Sequence, residues 1–432
     1  MTLRLLVTSD LGAATWPLRT SYGRSGSVAG VRELLERSSE KRPTVWLELG
    51  DLVVGHPSFV LLGERPWGEV AELPIAAACV GNHDFDDGAD ALRAAAARVS
   101  YPLLAANVDV GLPGSVLLET DAGPLGVVGL TNPRVDRLSA GAPAPFEVDV
   151  GALARELRAD GARWVVALVH DGVEFWPSGH GIATRPSRLE RVVAPWAREV
   201  DLILGGHNFS AWSGTLAGVP FAEPNLWAAS VAVVDLPEEP GHEPLIQGIR
   251  RVPPVEPERS SAPIEALRAA EARIVGSLDE QWLTRPGCPR YLPDWLAAAF
   301  RDACGTDAGF VMPGYHGIQA PLDGAIAALG PGEVRELDVL AWSPRRTTTR
   351  SSSSSSPASW RARSTRTGRS PTRRTSPATS SPGTGAGCPR AWRATRPSRS
   401  ASPASRASCH TSPTGSTASS RPHRAASPRS TR

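Results

Sequence analysis

Short apolar runs broken by small polar loops set the rhythm of the first half of the chain. Leu3 to Thr8 reads as a buried strand closing on Asp10, and Val28, Val31, Leu34 and Leu35 recur at helical spacing. Thr44 to Leu49 predicts a second strand that closes on Gly50-Asp51. A third apolar run, Leu73 to Val80, leads into Gly81-Asn82-His83-Asp84-Phe85-Asp86, and an alanine-rich helical pattern follows from Asp90 to Val99. Leu103 to Val110 and Gly126 to Leu130 predict further strands, the latter in a hairpin turned near Ala122-Gly123. A short helix is expected over Leu153 to Leu157, then a strand over Trp164 to Val169 that runs into His170-Asp171-Gly172. Leu189 to Ala197 is expected as a helix, and Val200 to Leu204 as a strand running into Gly205-Gly206-His207. Ala229 to Leu236 is expected as the last strand. Strands alternating with helices argue for stacked sheets covered by helices. Polar loops at the carboxyl ends of such strands are where open α/β sheets place their chemistry.

Beyond this body the pattern changes twice. Pro253 to Pro263, rich in Pro, Glu and Ser, predicts a linker, and Ile264 to Ile274 a connecting helix. A helix over Leu292 to Ala303, a strand over Ala308 to Val311 and a glycine-rich stretch from Gly314 to Gly324 predict a second α/β domain. After Leu340 there is no Leu, Ile, Val, Met, Phe or Tyr, so no core can form and a disordered Arg/Ser/Pro-rich tail is expected. The division is thus 1–250 for the main domain, 251–275 for linker and helix, 276–344 for a truncated second domain and 345–432 for the tail. Two origins of the tail are open: a genuine Arg/Ser segment that binds nucleic acid or is phosphorylated, or a reading-frame slip. Shifted by one base, GAC (Asp) reads ACG (Thr) and GTC (Val) reads TCG (Ser). Thr347 to Thr349 and Ser351 to Ser356 would then conceal an Asp run and a Val run, which favours the slip.

Charge sharpens the division. The net +2 of the 432 residues hides 18 Arg with no Asp, Glu or Lys from Arg345 onward. The body keeps 28 basic residues against all 44 acidic ones, a net of −16, which argues against a nucleic-acid-binding face there. No apolar run approaches the roughly 20 residues a membrane span needs. The five cysteines, Cys79, Cys288, Cys304, Cys388 and Cys409, imply no disulfide framework and no metal-type spacing. With no charged and apolar leader ahead of Leu3, the expected location is a reducing cytoplasm, or the exterior if the true start codon lies upstream.

The loop Gly81 to Asp86 places an amide, an imidazole and two carboxylates within six positions. Together with Asp10, Asp51, His170 and Gly205-Gly206-His207, in that order, it resembles the calcineurin-like metallophosphoesterases, and the spacing is most similar to their 5′-nucleotidase and UDP-sugar hydrolase branch. The resemblance implies a four-layer βαββα sandwich and a phosphoric ester hydrolase using divalent metal (Mn, Zn, Mg or Fe). Asp51 would bridge two ions, and Asn82, His170 and His207 would complete one of them. Asp10 would serve the other. His83 would be the general acid or transition-state donor, oriented by Asp86, a His–carboxylate pair that fixes the tautomer and raises the imidazole pKa. Asp84 is expected to structure the loop; His56 and His180 are not explained by the motif and are expected to be surface histidines, the alternative being that either supplies the missing ligand by a different route.

Two positions depart from the pattern. Where the family carries a histidine two after Asp10 and a His or Gln two after His207, this chain has Gly12 and Phe209. Both losses fall on the same ion, so one well-formed site and a weakened second are expected, which histidines at both positions would restore. Gln319 stands where the family's second domain places a substrate-binding Arg, and an amide cannot form the charged fork that Arg offers phosphate. The expected partner is a nucleotide or related small phosphoester. The alternative is a catalytically impaired relative that binds a nucleotide or a protein partner without turnover.

Overall fold

The computed structural model describes residues 1–20, 23–56, 61, 66–173, 175–178, 181–184, 188–239, 241–280, 282–283, 297–298, 301, 328–329 and 332–340. In chain order the elements that matter are β1 (Leu3–Thr8), α1 (Val28–Ser39), β2 (Thr44–Glu48), β3 (Ile75–Cys79), α2 (Ala89–Ala96), β4 (Leu103–Leu104), β5 (Ser115–Leu118), β6 (Leu125–Leu130), α3 (Val150–Ala159), β7 (Trp164–Val169), α4 (Arg188–Val193), β8 (Leu202–Gly205), β9 (Trp212–Leu216), β10 (Val219–Glu223), β11 (Ser230–Leu236), β12 (Leu245–Arg251), α5 (Ala262–Ala272), β13 (Ile274–Leu278), β14 (Gly332–Arg335) and α6 (Glu336–Leu340).

Two six-stranded mixed sheets stack face to face. The first has the order β12-β11-β1-β2-β3-β4 and the second β9-β10-β8-β7-β6-β5. Strands β1 to β4 run parallel, as do β6, β7, β8 and β10, so their carboxyl ends open on shared edges. The period of two along each strand divides the core. Leu3, Leu5 and Val7 face inward with Leu47 and Leu49 and meet Val127, Trp164, Val166 and Leu168 of the second sheet. Leu6, Trp46 and Ile75 face outward with Val28 and Val31 of α1 and with Ile264 and Leu267 of α5. On the far side Val165, Ala167 and Val169 pack with Ala154 and Leu157 of α3 and Leu189 and Val193 of α4. This is the helix–sheet–sheet–helix layering that the alternation implied.

Helix starts follow their sequence signals. The Ser27 side chain accepts from the amide of Gly30, Asp149 from that of Ala152 and Ser261 from that of Ile264, with proline at the first turn of α5. Three expectations are corrected. The strand expected over Leu103 to Val110 stops at Leu104, because Asn107 turns away to exchange two hydrogen bonds with the backbone of Thr131. The helix expected to Ala197 ends at Val193, ahead of Pro195, whose ring disfavours helical backbone before it. Ala229 to Leu236 is not the last strand, since β12 pairs antiparallel beside it. The β9–β10 hairpin was not anticipated either. It turns at Ala217-Gly218, both at positive φ (49° and 83°), the pairing a tight two-residue turn requires.

Residues 332–340 return to the body, where Leu337 joins the α5 side of the core and β14 pairs with β13. The expected helix over Leu292 to Ala303 (apart from 297–298 and 301, which are helical), the strand from Ala308, the Gly314–Gly324 stretch and the tail from residue 345 lie outside the described residues. Among the described residues no helix is long and apolar enough to cross a membrane.

Candidate active site

Five strand ends converge: Asp10 follows β1, Asp51 follows β2, Asn82 and His83 follow β3, His170 follows β7, and His207 follows β8. Asp10, Asp51 and His207 all sit at positive φ (49°, 56° and 72°). Non-glycine residues reach this region only at a cost of roughly 1–2 kcal/mol each, and such backbones cluster where side chains must converge. Gly81 is the steric counterpart. A Cβ there would fall 2.1 Å from Asp51 Oδ1 and 2.4 Å from its amide nitrogen, so no side chain fits between the two loops.

Ligating atoms of Asp51, His170 and His207 lie within 4.8 Å of one another. Asn82 joins them, its Oδ1 at 3.2 Å from His170 Nε2, which is 3.4 Å from Asp51 Oδ2. The Nδ1–H of His170 donates to the Leu49 carbonyl at 2.6 Å, which orients the ring and turns Nε2 toward the cluster. A carboxylate oxygen, an amide oxygen and two imidazole nitrogens, buried except for the partly exposed His207, are donor chemistry that suits one divalent transition ion.

The charges of the protein's own groups are tightly coupled at that point. Burial opposes charge on Asp51, but the imidazoles of His170, His83 and His207 outweigh it and hold this carboxyl well below its ordinary range. Burial lowers His170, yet Asp51 and Asp10 overcome it and raise the imidazole to about 10. His207 is pushed down to about 3 by burial and by His170. Asp10, raised by burial to about 6, accepts from Ser9 Oγ at 2.5 Å and from the His207 amide at 2.9 Å, which ties the β1 loop to the β8 loop.

The second group is His83 with Asp86. The His83 Nδ1–H donates to Asp86 Oδ2 at 2.9 Å, and Ser139 Oγ donates to Asp86 Oδ1 at 3.1 Å. Both side chains are 17% exposed, so the pair stands at the rim of the buried cluster. The His83 amide donates to Asp51 Oδ1 at 2.7 Å, a backbone bond from the dyad to the ligand cluster. Asp84 does what its spacing suggested, accepting from the amides of Asp51, Leu52 and Gly81 and so clamping two loops together.

Gly12 and Phe209 occupy apolar surroundings. Gly12 sits at φ 57°, and a Cβ there would meet Trp227 Cδ1 and the Val54 carbonyl, each at 2.8 Å. Phe209 is buried in the same core cluster as Trp227 and Leu11. His56 is corrected from surface to interior. It is 1% exposed, its Nε2–H donates to the Trp16 carbonyl at 3.1 Å, and its ring lies edge-on to Trp227 at 5.9 Å. Burial pushes its pKa down to about 3, so it is neutral. His180 and Gln319 lie outside the described residues. Gly12→His would place a β-carbon into the indole and a side chain on left-handed backbone. The expected result is a melting temperature several degrees below wild type by calorimetry, from strain of at least ~1 kcal/mol.

Sequence reading missed the supporting carboxylates. Glu48, within β2, bonds Thr8 Oγ1 and the Leu11 amide (3.3 Å), and burial raises its pKa well above normal. Glu223, ending β10, accepts from the amides of Val173 (2.9 Å) and Ser210 (3.1 Å), fixing the loops that carry His170 and His207. Asp171 is held by Arg188 at 2.7 Å, beside His170. An acidic residue within an apolar strand run was the available signal for Glu48 and Glu223. Burial lifts Glu223 to about 8. A carboxyl that ionises later in the fold than in the unfolded chain costs stability as pH rises from its ordinary value toward 8. Glu223→Gln should therefore flatten the fall in denaturation midpoint between pH 5 and 8; an unchanged slope would remove Glu223 as its source.

The stacked sheets carry a strand-end cluster of carboxylate, amide and imidazole groups that is a candidate metal centre. Residues 3–209 match the model of the family described as calcineurin-like phosphoesterase, and the chain carries a domain of that family. It is 27% identical over 230 residues to a 5′-nucleotidase from Diplobatis ommata, covering 48% of this chain and 37% of that protein. It is 24% identical over 327 residues to a 2′,3′-cyclic-nucleotide 2′-phosphodiesterase/3′-nucleotidase from Salmonella typhimurium, covering 64% and 49%. The solved structure of a 5′-nucleotidase precursor from Thermus thermophilus has the same fold, with a TM-score of 0.54 at 19% identity over 79% of this chain and 73% of that one. The domain fits the 5′-nucleotidase branch. The chain spans less than half the length of these two curated relatives.

Proposed function

We propose that this domain hydrolyses a phosphomonoester, a nucleotide or a related compound, at a single divalent cation held by Asp51, Asn82, His170 and His207. The convergence of those ligands beside the His83–Asp86 pair carries the reading. A divalent cation, when bound, supplies Lewis-acid charge for the phosphoryl oxygens. The residues do the rest. Asp86 fixes the tautomer of His83, so that Nε2 is the atom that hands a proton or hydrogen bond to the departing oxygen. Asp84 and Glu223 hold the loops in place, and Asp10 braces the His207 loop through its amide. The relatives named above act on nucleotides, which supports that substrate class.

In this reading no second ion binds beside Asp10, because Gly12 and Phe209 offer no donor and Trp227 fills the space. Elemental analysis of the purified full chain should find about one Mn, Zn, Fe or Mg per molecule, with phosphate released from a nucleoside monophosphate or an activated aryl phosphate. Two tightly held ions would overturn the single-cation reading. Absence of turnover with any of these metals would favour a relative that binds nucleotide without hydrolysis, the reading that the Gly12, Phe209 and Trp227 packing supports.

A further inference from the structure

Ser139 reaches Asp86 from a segment that is fastened to both parts of the site. The segment leaves the second sheet after β6 at Asn132, which is buried. Its Nδ2–H donates to the His170 carbonyl at 3.3 Å, and its Oδ1 accepts from the Arg134 amide at 3.0 Å. The Asn132 carbonyl accepts from the Val135 amide at 2.9 Å, and a short helical turn, Val135–Leu138, follows and ends at Ser139. Beyond it Gly141 lies directly on the turn that carries His83. A Cβ there would fall 2.1 Å from the Phe85 carbonyl oxygen and 2.8 Å from the Gly88 amide nitrogen. One end of the segment is thus tied to a ligand's backbone and the other to the loop of the dyad.

Ser139 is buried and lies 53 positions from Asp86 in the chain. Ending the helical turn occupies only its backbone, whose amide donates to the Val135 carbonyl at 2.8 Å. The hydroxyl serves Asp86, donating to Oδ1 at 3.1 Å while Oδ2 accepts the His83 Nδ1–H at 2.9 Å. A carboxylate gripped on both oxygens by donors from different segments cannot swing without breaking one of the two bonds. Asp86 and His83 stand at the partly open rim, where a carboxylate held on one side only would sample other rotamers and bond to water.

We infer that Ser139 is a positioning residue for the His83–Asp86 pair: its hydroxyl locks the Asp86 carboxylate in the rotamer that presents His83 Nε2 to the departing oxygen. The inference rests on the hydrolase reading for the departing oxygen, whereas the chain of bonds from Ser139 through Asp86 to His83 is testable without turnover.

In the full chain Ser139→Ala should keep the wild-type metal content and KM. Its kcat for a nucleoside monophosphate should fall roughly ten- to a hundredfold, the scale of one lost hydrogen bond to a charged group. Ser139→Thr keeps the hydroxyl on backbone that is already extended (φ −134°, ψ 125°), where a β-branched residue is at home, and should retain most of the rate. In a His83→Ala background Ser139→Ala should slow turnover no further, because no imidazole remains to be oriented; a packing role would cost the same factor in both backgrounds. Independently of any substrate, nuclear magnetic resonance of the full chain labelled with nitrogen-15 at histidine should show the His83 Nδ1–H proton as a low-field signal, assigned by its loss in His83→Ala. Ser139→Ala should lose that signal to exchange with water. An unchanged rate in Ser139→Ala, an equal factor in the His83→Ala background, a threonine as slow as alanine, or a signal that survives in Ser139→Ala each overturns the assignment. A wild type that releases no phosphate from any ester, yet loses the signal in Ser139→Ala, ends the hydrolase reading and leaves Ser139 as the residue that orients the pair.

Discussion

Asp51→Asn is expected to empty the centre of its ion and reduce phosphate release by a factor of roughly a thousand or more, the scale of losing Lewis-acid stabilisation of the transition state. The residue is singular in its position. It is the only carboxylate among the three mutually close ligands, its Oδ2 faces His170, and its Oδ1 accepts the His83 amide. An asparagine keeps the shape and the acceptor oxygen but removes the charge that balances His170. Elemental analysis and single-turnover assays on the same preparation read the two effects together. Full metal content in the variant would show that Asp51 is not the anchor assigned here.

His83→Ala makes the opposite split. The metal content should stay at the wild-type level, because the tie from this residue to Asp51 runs through its backbone amide, which alanine retains. The rate should fall by roughly 10²–10⁴, the range of a lost general acid. The loss should be smaller for an aryl phosphate with a good leaving group than for a nucleoside monophosphate, since a stable leaving anion needs less proton donation. Equal losses on both substrates would assign His83 a role in holding phosphate and not in proton transfer.

The sequence made the layered fold legible because each parallel strand is a continuous apolar run with its polar loop attached, from Leu3–Asp10 through Leu202–His207. That alternation leaves little freedom in how the sheet is wound. The loop Gly81 to Asp86 was equally readable, and the Asp84 clamp followed from its place between two committed residues. What stayed hidden depends on contacts far apart in sequence. Trp227 lies more than two hundred positions from Gly12, so nothing local announced that an indole occupies the space beside the β1 loop. His56 carries no neighbour in sequence that marks it as buried; its partner is a backbone carbonyl forty residues back. The β9–β10 hairpin was missed because Ala217-Gly218 is a weak turn signal beside Asn-Gly or Asp-Gly. Glu48 and Glu223 were overlooked for a different reason: a lone acid in a strand is ordinarily solvent-facing, and only the pairing of sheets puts these two inside.

The indole against Gly12 obstructs any attempt to add ligand donors beside the β1 loop. Supplying the missing donors first, at positions 12 and 209, would meet an already filled interior and cost stability before any gain in chemistry. The productive order begins with shrinking Trp227, which alone should cost stability and return nothing. Such a path crosses a valley whichever mutation is made first, so the indole in that space resists the introduction of donors at positions 12 and 209.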